Sequence, residues 1–113
     1  MRKLLLLLTL LPLFLHGADI TGTWTAAVTL DVGSGTATFT FQQAGEKLTG
    51  TYAGTLGEAK LTGTVKGEQV EFGFTSDQAG TIVYKATLDG ATKMKGTAQY
   101  GQLGAGTFTA EKK

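Results

Sequence analysis

From Ile20 to Ala110 the chain alternates apolar and polar residues in segment after segment. A period of two belongs to a β-strand with one buried face, and the 3.6-residue repeat of an amphipathic helix is absent from this stretch. In the first segment Ile20, Gly22, Trp24, Ala26, Val28 and Leu30 alternate with Thr21, Thr23, Thr25, Ala27 and Thr29. Phe39 and Phe41 then alternate with Thr38, Thr40 and Gln42, and Leu48 and Tyr52 with Thr49 and Thr51. Leu61 and Val65 follow, then Val70, Phe72 and Phe74, then Ile82, Tyr84, Ala86 and Leu88, each set interleaved with polar residues. Met94, Ala98 and Tyr100, and finally Phe108 and Ala110, complete about eight strand candidates by this criterion.

Short turn signals separate the segments. Asp31 to Gly35 reads as a loop, Gln43-Ala44-Gly45 as a tight hairpin, and Asp89-Gly90 as a two-residue type I′ turn. No connection is long enough for the crossover that parallel strands require. The expected fold is therefore all-β: an antiparallel up-and-down eight-stranded β-barrel, in which closure removes the exposed edges. Ile20-Thr21-Gly22-Thr23, Leu48-Thr49-Gly50-Thr51, Leu61-Thr62-Gly63-Thr64 and Met94-Lys95-Gly96-Thr97 share one pattern, with Gly on the apolar face. An inward Gly permits the close backbone approach and sharp bending of a small barrel. The dense aromatic set faces one way and Thr, Lys, Glu and Gln the other, the reverse of the polarity of an outer-membrane barrel.

The opening segment differs. Arg2 and Lys3 precede an apolar run from Leu4 to Leu15, and His16-Gly17-Ala18 supplies small residues for cleavage. This layout predicts a secretory signal peptide over residues 1–18 and a single barrel domain over residues 19–113. The run is too short for a comfortable transmembrane helix of about 20 residues. The chain is thus expected to be exported, periplasmic or secreted, with no membrane insertion of the mature domain. Ten basic residues oppose nine acidic ones in the whole chain; without Arg2 and Lys3, eight lysines face the same nine acids, a formal charge of −1. A basic footprint for nucleic acid is missing. The part after residue 18 contains no His, Cys, Arg or Pro, so neither a Ser-His or Cys-His nucleophile nor a thiolate or imidazole metal site can be assembled. The carboxylates fall in turns or on outward positions. These features predict a protein that is not an enzyme and has no catalytic residues, metal ligands or cofactor.

Gly22-Thr23-Trp24 resembles the Gly-x-Trp signature of the calycin superfamily, which includes lipocalins, fatty-acid-binding proteins and avidins. Ile20 to Trp24, Leu48 to Tyr52 and Phe72-Gly73-Phe74-Thr75 are similar to three avidin segments, and the Gly/Thr-rich layout also resembles small secreted bacterial proteins of unassigned function. The resemblance implies a closed antiparallel barrel and a late basic residue set against the first-strand Trp, a place open to Lys112 or Lys113. Biotin binding is not implied, because Trp24 is the only Trp and the inward face offers few polar groups.

The inward aromatic face supplies the candidate ligand-binding residues: Trp24, Phe39, Phe41, Tyr52, Phe72, Phe74, Tyr84, Met94 and Tyr100. An eight-stranded barrel is just wide enough to be filled by side chains or to hold one small ligand. Two readings follow. The first is a binding module for a small hydrophobic or aromatic ligand oriented by the Tyr52, Tyr84 and Tyr100 hydroxyls. The alternative is a filled barrel that serves as an envelope interaction, inhibitor or structural domain, with Leu56, Val83 and Leu103 as outward contacts. Trp24 is expected to plug one end of the barrel, and Met94 to fill a gap.

Overall fold

Eight strands pair in chain order and close on themselves. The computed structural model describes residues 19–113, so the expected signal peptide lies outside the described residues. The strands are β1 (Gly22–Leu30), β2 (Gly33–Ala44), β3 (Lys47–Gly54), β4 (Gly57–Lys66), β5 (Gln69–Ser76), β6 (Gly80–Leu88), β7 (Lys93–Tyr100) and β8 (Ala105–Lys112). Every neighbouring pair is antiparallel, and β1 closes against β8 from Trp24↔Lys112 to Leu30↔Gly106. Closure pairs the backbone groups that an open sheet would leave at its edges. The β1–β2, β3–β4, β5–β6 and β7–β8 connections form one end, here the upper rim. The start of β1, the end of β8 and the other three connections form the lower rim.

The alternation resolves into two faces as expected. Trp24, Phe39, Phe41, Leu48, Tyr52, Leu61, Phe72, Ile82, Tyr84, Met94 and Phe108 are almost fully buried inside. Their interleaved Thr, Lys, Glu and Gln neighbours are mostly exposed outside. Each large apolar side chain taken from water contributes about 1.5–3 kcal/mol, and here that contribution must suffice without disulfides.

The repeated glycines fit the barrel tightly. A Cβ at Gly50, Gly63 or Gly96 would stand 1.8–2.0 Å from a carbonyl oxygen of the adjacent strand, far inside any possible contact. Gly106 on β8 is under the same constraint, 1.8 Å from the Thr29 oxygen. Gly22 plays a different part. Its φ of +138° is closed to most residues, and the space a Cβ would take is filled by the Lys112 side chain.

Three turns differ from expectation. At the β2–β3 hairpin Gln43 and Ala44 pair as strand with Leu48 and Lys47, and the turn is Gly45-Glu46. The stretch Asp31 to Gly35 is no loop: only Asp31 and Val32 form the turn, and β2 starts at Gly33. Gly33, Ser34 and Gly35 pair in register with Leu30, Thr29 and Val28, so the small residues extend the strands to the rim instead of interrupting them. At Asp89-Gly90 the turn is wider than two residues. Residues 89–92 connect β6 to β7, Gly90 supplies a positive φ of 77°, and the Asp89 N–H donates to the Lys93 carbonyl.

Candidate functional site

The lower end of the barrel is closed by Trp24. Its ring is fully buried, and its indole N–H donates to the Ile20 carbonyl at 2.9 Å. Ile20, itself fully buried, precedes β1, and its N–H donates to Gln43 Oε1 at the end of β2. The segment just before β1 is thus folded over the Trp. Lys112 lies opposite Trp24 in the β1–β8 register, and its ammonium reaches the Asp19 carbonyl at 3.5 Å. Of Lys112 and Lys113, Lys112 is the one paired opposite Trp24.

Above Trp24 the interior is filled by rings. Phe39 sits at the centre, 4.9 Å from Phe72 and 5.0 Å from Tyr84 between ring centroids, both edge-to-face. Phe72 and Tyr84 stack at 4.9 Å, Phe41 meets Phe72 at 4.9 Å, and Phe108 closes on Tyr84 at 5.0 Å. These separations are direct ring-to-ring contact, which leaves no slot for a ligand between the rings. Met94 packs in the same core. Trp24, Phe39, Phe41, Phe72 and Met94 are therefore brought together inside the barrel as core packing.

Tyr52, Phe74 and Tyr100 stand above this layer. Tyr52 and Phe74 stack at 4.3 Å. The hydroxyls of Tyr84 and Tyr100 hydrogen-bond to each other, and the Leu56 N–H donates to the Tyr52 hydroxyl at 3.3 Å. Burial pushes the Tyr84 phenol well above its ordinary range, and its bond to Tyr100 adds to the shift. Burial likewise pushes Tyr100 up to about 12. The folded state thus keeps these protons at a pH where the unfolded chain, with phenols near 10, has lost them. More protons on the folded form means that stability falls as pH rises. The barrel is expected to hold its urea midpoint up to about pH 9, below the unfolded phenol value, and to lose it steadily above about pH 10. The Tyr84→Phe variant should show a shallower alkaline loss when the midpoint is measured across that range.

The upper rim holds a half-open cup of about 190 Å³. Val28, Leu30, Val32, Leu56 and Leu103 give it apolar walls, and Tyr52, Tyr100, Ser34, Thr36 and Thr55 add hydroxyls. Tyr52 and Tyr100 are the only candidate ligand-binding residues that line it. Its position follows from the turns. The tight Asp31-Val32 turn carries Val32 onto the rim, where it is 71% exposed, and the one-turn 3₁₀ segment Gly101–Leu103 places Leu103 across from it. That segment is held by the Gln102 N–H donating to the Ala79 carbonyl of the β5–β6 turn. Leu56 and Leu103 thus face the cup, whereas Val83 lies half-buried on the outer wall. Sequence reasoning missed Val28, Leu30 and Val32 as lining. An apolar Val in a two-residue turn was the available signal.

Depressions of larger volume lie on the outer wall, among them one of about 480 Å³ beside Ala27, Lys95 and Thr109. They are open depressions on the convex outer surface, this one lined by outward Thr, Lys, Asp and Glu residues and by the intervening positions Ala26, Met94 and Ala110. The smaller cup is the one that concentrates apolar walls and inward hydroxyls, the combination that holds small molecules.

No protein-family model matches the chain, and no curated protein matches it significantly. Among solved structures, that of EF1p2_mFAP2b bound to DFHBI is similar to it, with 19% identity and a TM-score of 0.59 over 83% of this chain and 94% of that one. The likeness is one of fold: a closed antiparallel barrel.

Proposed function

We propose that this protein is an exported, non-enzymatic barrel, calycin-like in build, that holds a small apolar or aromatic molecule in the cup at its upper rim. The observation that carries this reading is the gathering of exposed Val32 and Leu103 over buried Tyr52 and Tyr100 around one concavity. Exposed apolar side chains beside a concave, partly polar floor mark a binding site. The filled aromatic interior moves the ligand from the centre of the barrel to its mouth. The Gly22-Thr23-Trp24 segment with Lys112 opposite Trp24 supports the calycin-like reading. The similar barrel of EF1p2_mFAP2b, bound to DFHBI, supports a small-molecule role for the architecture. Export rests on the charged-then-apolar layout of residues 1–18.

A filled barrel that docks a protein through the same rim is the competing reading, favoured by the 71% exposure of Val32. One experiment separates them. Gly35 lines the cup without a positive φ, and the nearest atom to a Cβ there is Thr55 Oγ1 at 3.5 Å. Gly35→Leu therefore fills the cup without forcing the strands apart. Native mass spectrometry of protein from its own source is expected to show a retained small molecule that Gly35→Leu lacks. An empty wild-type protein that co-purifies with a protein partner instead would overturn the ligand reading.

A further inference from the structure

We infer that the ligand of the upper cup is a neutral, single-ring-sized molecule carrying one hydrogen-bond-accepting oxygen, which the Tyr52–Tyr100 hydroxyl pair recognises. The inference rests on the reading of the cup as a small-molecule site and specifies its chemistry.

Size comes first. An apolar cavity of about 150 Å³ accommodates benzene, whereas drug-sized ligands need about 300–1,000 Å³. At about 190 Å³ the cup matches one ring with a short substituent.

Polarity comes next. Three phenols meet beneath the cup. Tyr84 and Tyr100 share a hydrogen bond. Tyr52 lies close enough to Tyr100 to raise its pKa further. The Tyr52 oxygen already accepts from the Leu56 N–H at 3.3 Å. Among the described residues no protein acceptor takes the Tyr52 hydroxyl proton, while Tyr84 and Tyr100 bond to each other. The cluster is rich in donors where it touches the cup. A buried donor without a partner is costly, so the complementary group is an acceptor. Gly54 leaves the space that this hydroxyl occupies, because a Cβ there would stand 2.6 Å from the Tyr52 hydroxyl oxygen.

Charge comes last. No Lys, Asp or Glu lines the cup, and the nearby turn residue Asp31 is exposed. A carboxylate entering this apolar space would meet no cation to offset its desolvation, and an ammonium would find donors where it needs acceptors. A neutral carbonyl, ether or hydroxyl oxygen satisfies both conditions.

Three probes of similar shape test the inference at neutral pH by calorimetric or ligand-observed NMR titration of the purified protein: acetophenone, ethylbenzene and benzoate. Acetophenone is expected to bind about tenfold more tightly than ethylbenzene, the ratio corresponding to one net hydrogen bond, with benzoate weakest. In Tyr52→Phe the preference for acetophenone should shrink towards unity while ethylbenzene binding persists. Equal binding of acetophenone and ethylbenzene, a preference for benzoate, or a carbonyl preference that survives Tyr52→Phe would each overturn the inference. Failure of the underlying site has a different signature: ring compounds would bind equally well to Gly35→Leu, or none would bind the wild type.

Discussion

Gly96→Ala is expected to abolish or nearly abolish the folded barrel. A Cβ at residue 96 would stand 1.8 Å from the Lys85 carbonyl oxygen and 2.6 Å from the Ala86 Cα. Both are backbone atoms of β6, paired with β7 through Ala86↔Gly96, so no side-chain rotation relieves the clash. The strands would have to separate, which disrupts ladder hydrogen bonds in a closed sheet that has no free edge to yield. Overpacking a core typically costs about 1–3 kcal/mol when side chains can shift. Here the cost should exceed about 3 kcal/mol, a large fraction of the about 5–15 kcal/mol that stabilises a domain. Gly35→Ala is the control, since its Cβ meets only Thr55 Oγ1, at 3.5 Å. Urea unfolding followed by far-ultraviolet circular dichroism should leave Gly35→Ala within about 0.5 kcal/mol of wild type, as for other substitutions without a clash. A Gly96→Ala midpoint close to that of wild type would show that the β6–β7 approach is wider than described.

Phe39→Ala should cost about 3–5 kcal/mol, the range for removing a large buried aromatic side chain. Phe39 is fully buried and touches the rings of Phe41, Tyr52, Phe72, Tyr84 and Phe108. Its loss leaves a void at the centre of the aromatic stack, walled by rings too interlocked to collapse. That void should do what the wild-type interior does not, and admit a ring. Added benzene is expected to raise the melting temperature of Phe39→Ala by mass action and to leave the interior of the wild type unaffected. If Phe39→Ala lost less than about 1 kcal/mol, well under that range, the interior would already be loosely packed, and the ligand site would move back into the centre of the barrel.

Sidedness was legible because a period of two leaves one assignment for each residue once the aromatics are placed inside. Trp24, Phe39 and Tyr84 are buried for that reason, and the inward Gly50, Gly63 and Gly96 are read off the same phase. Local turn chemistry was less reliable. Gly33 and Gly35 read as a loop by composition, yet pairing with Leu30 and Val28 makes them strand, because tertiary closure outweighs the low strand preference of glycine. At Asp89-Gly90 glycine supplied the positive φ expected of it, but the register Leu88↔Met94 fixed a wider connection. Of the cup only Tyr52 and Tyr100 were legible, as inward hydroxyls; its place at the rim was not. It depends on which rim each turn reaches and on how far the rings fill the barrel below, and neither quantity is local in sequence. Tyr52 and Tyr100 come from β3 and β7, across the barrel from each other, and only closure brings their hydroxyls under the same rim.

The central claim is that the barrel is filled by its own rings, so that a small molecule finds room at the upper mouth. Amide and indole chemical shifts recorded during an acetophenone titration test it most directly. Saturable shifts should appear at Val32, Gly33, Gly35, Leu56 and Leu103, with the Trp24 indole N–H unmoved. Shifts centred on the Trp24 indole and Phe41, or on the outer wall at Ala27, Lys95 and Thr109, would contradict it.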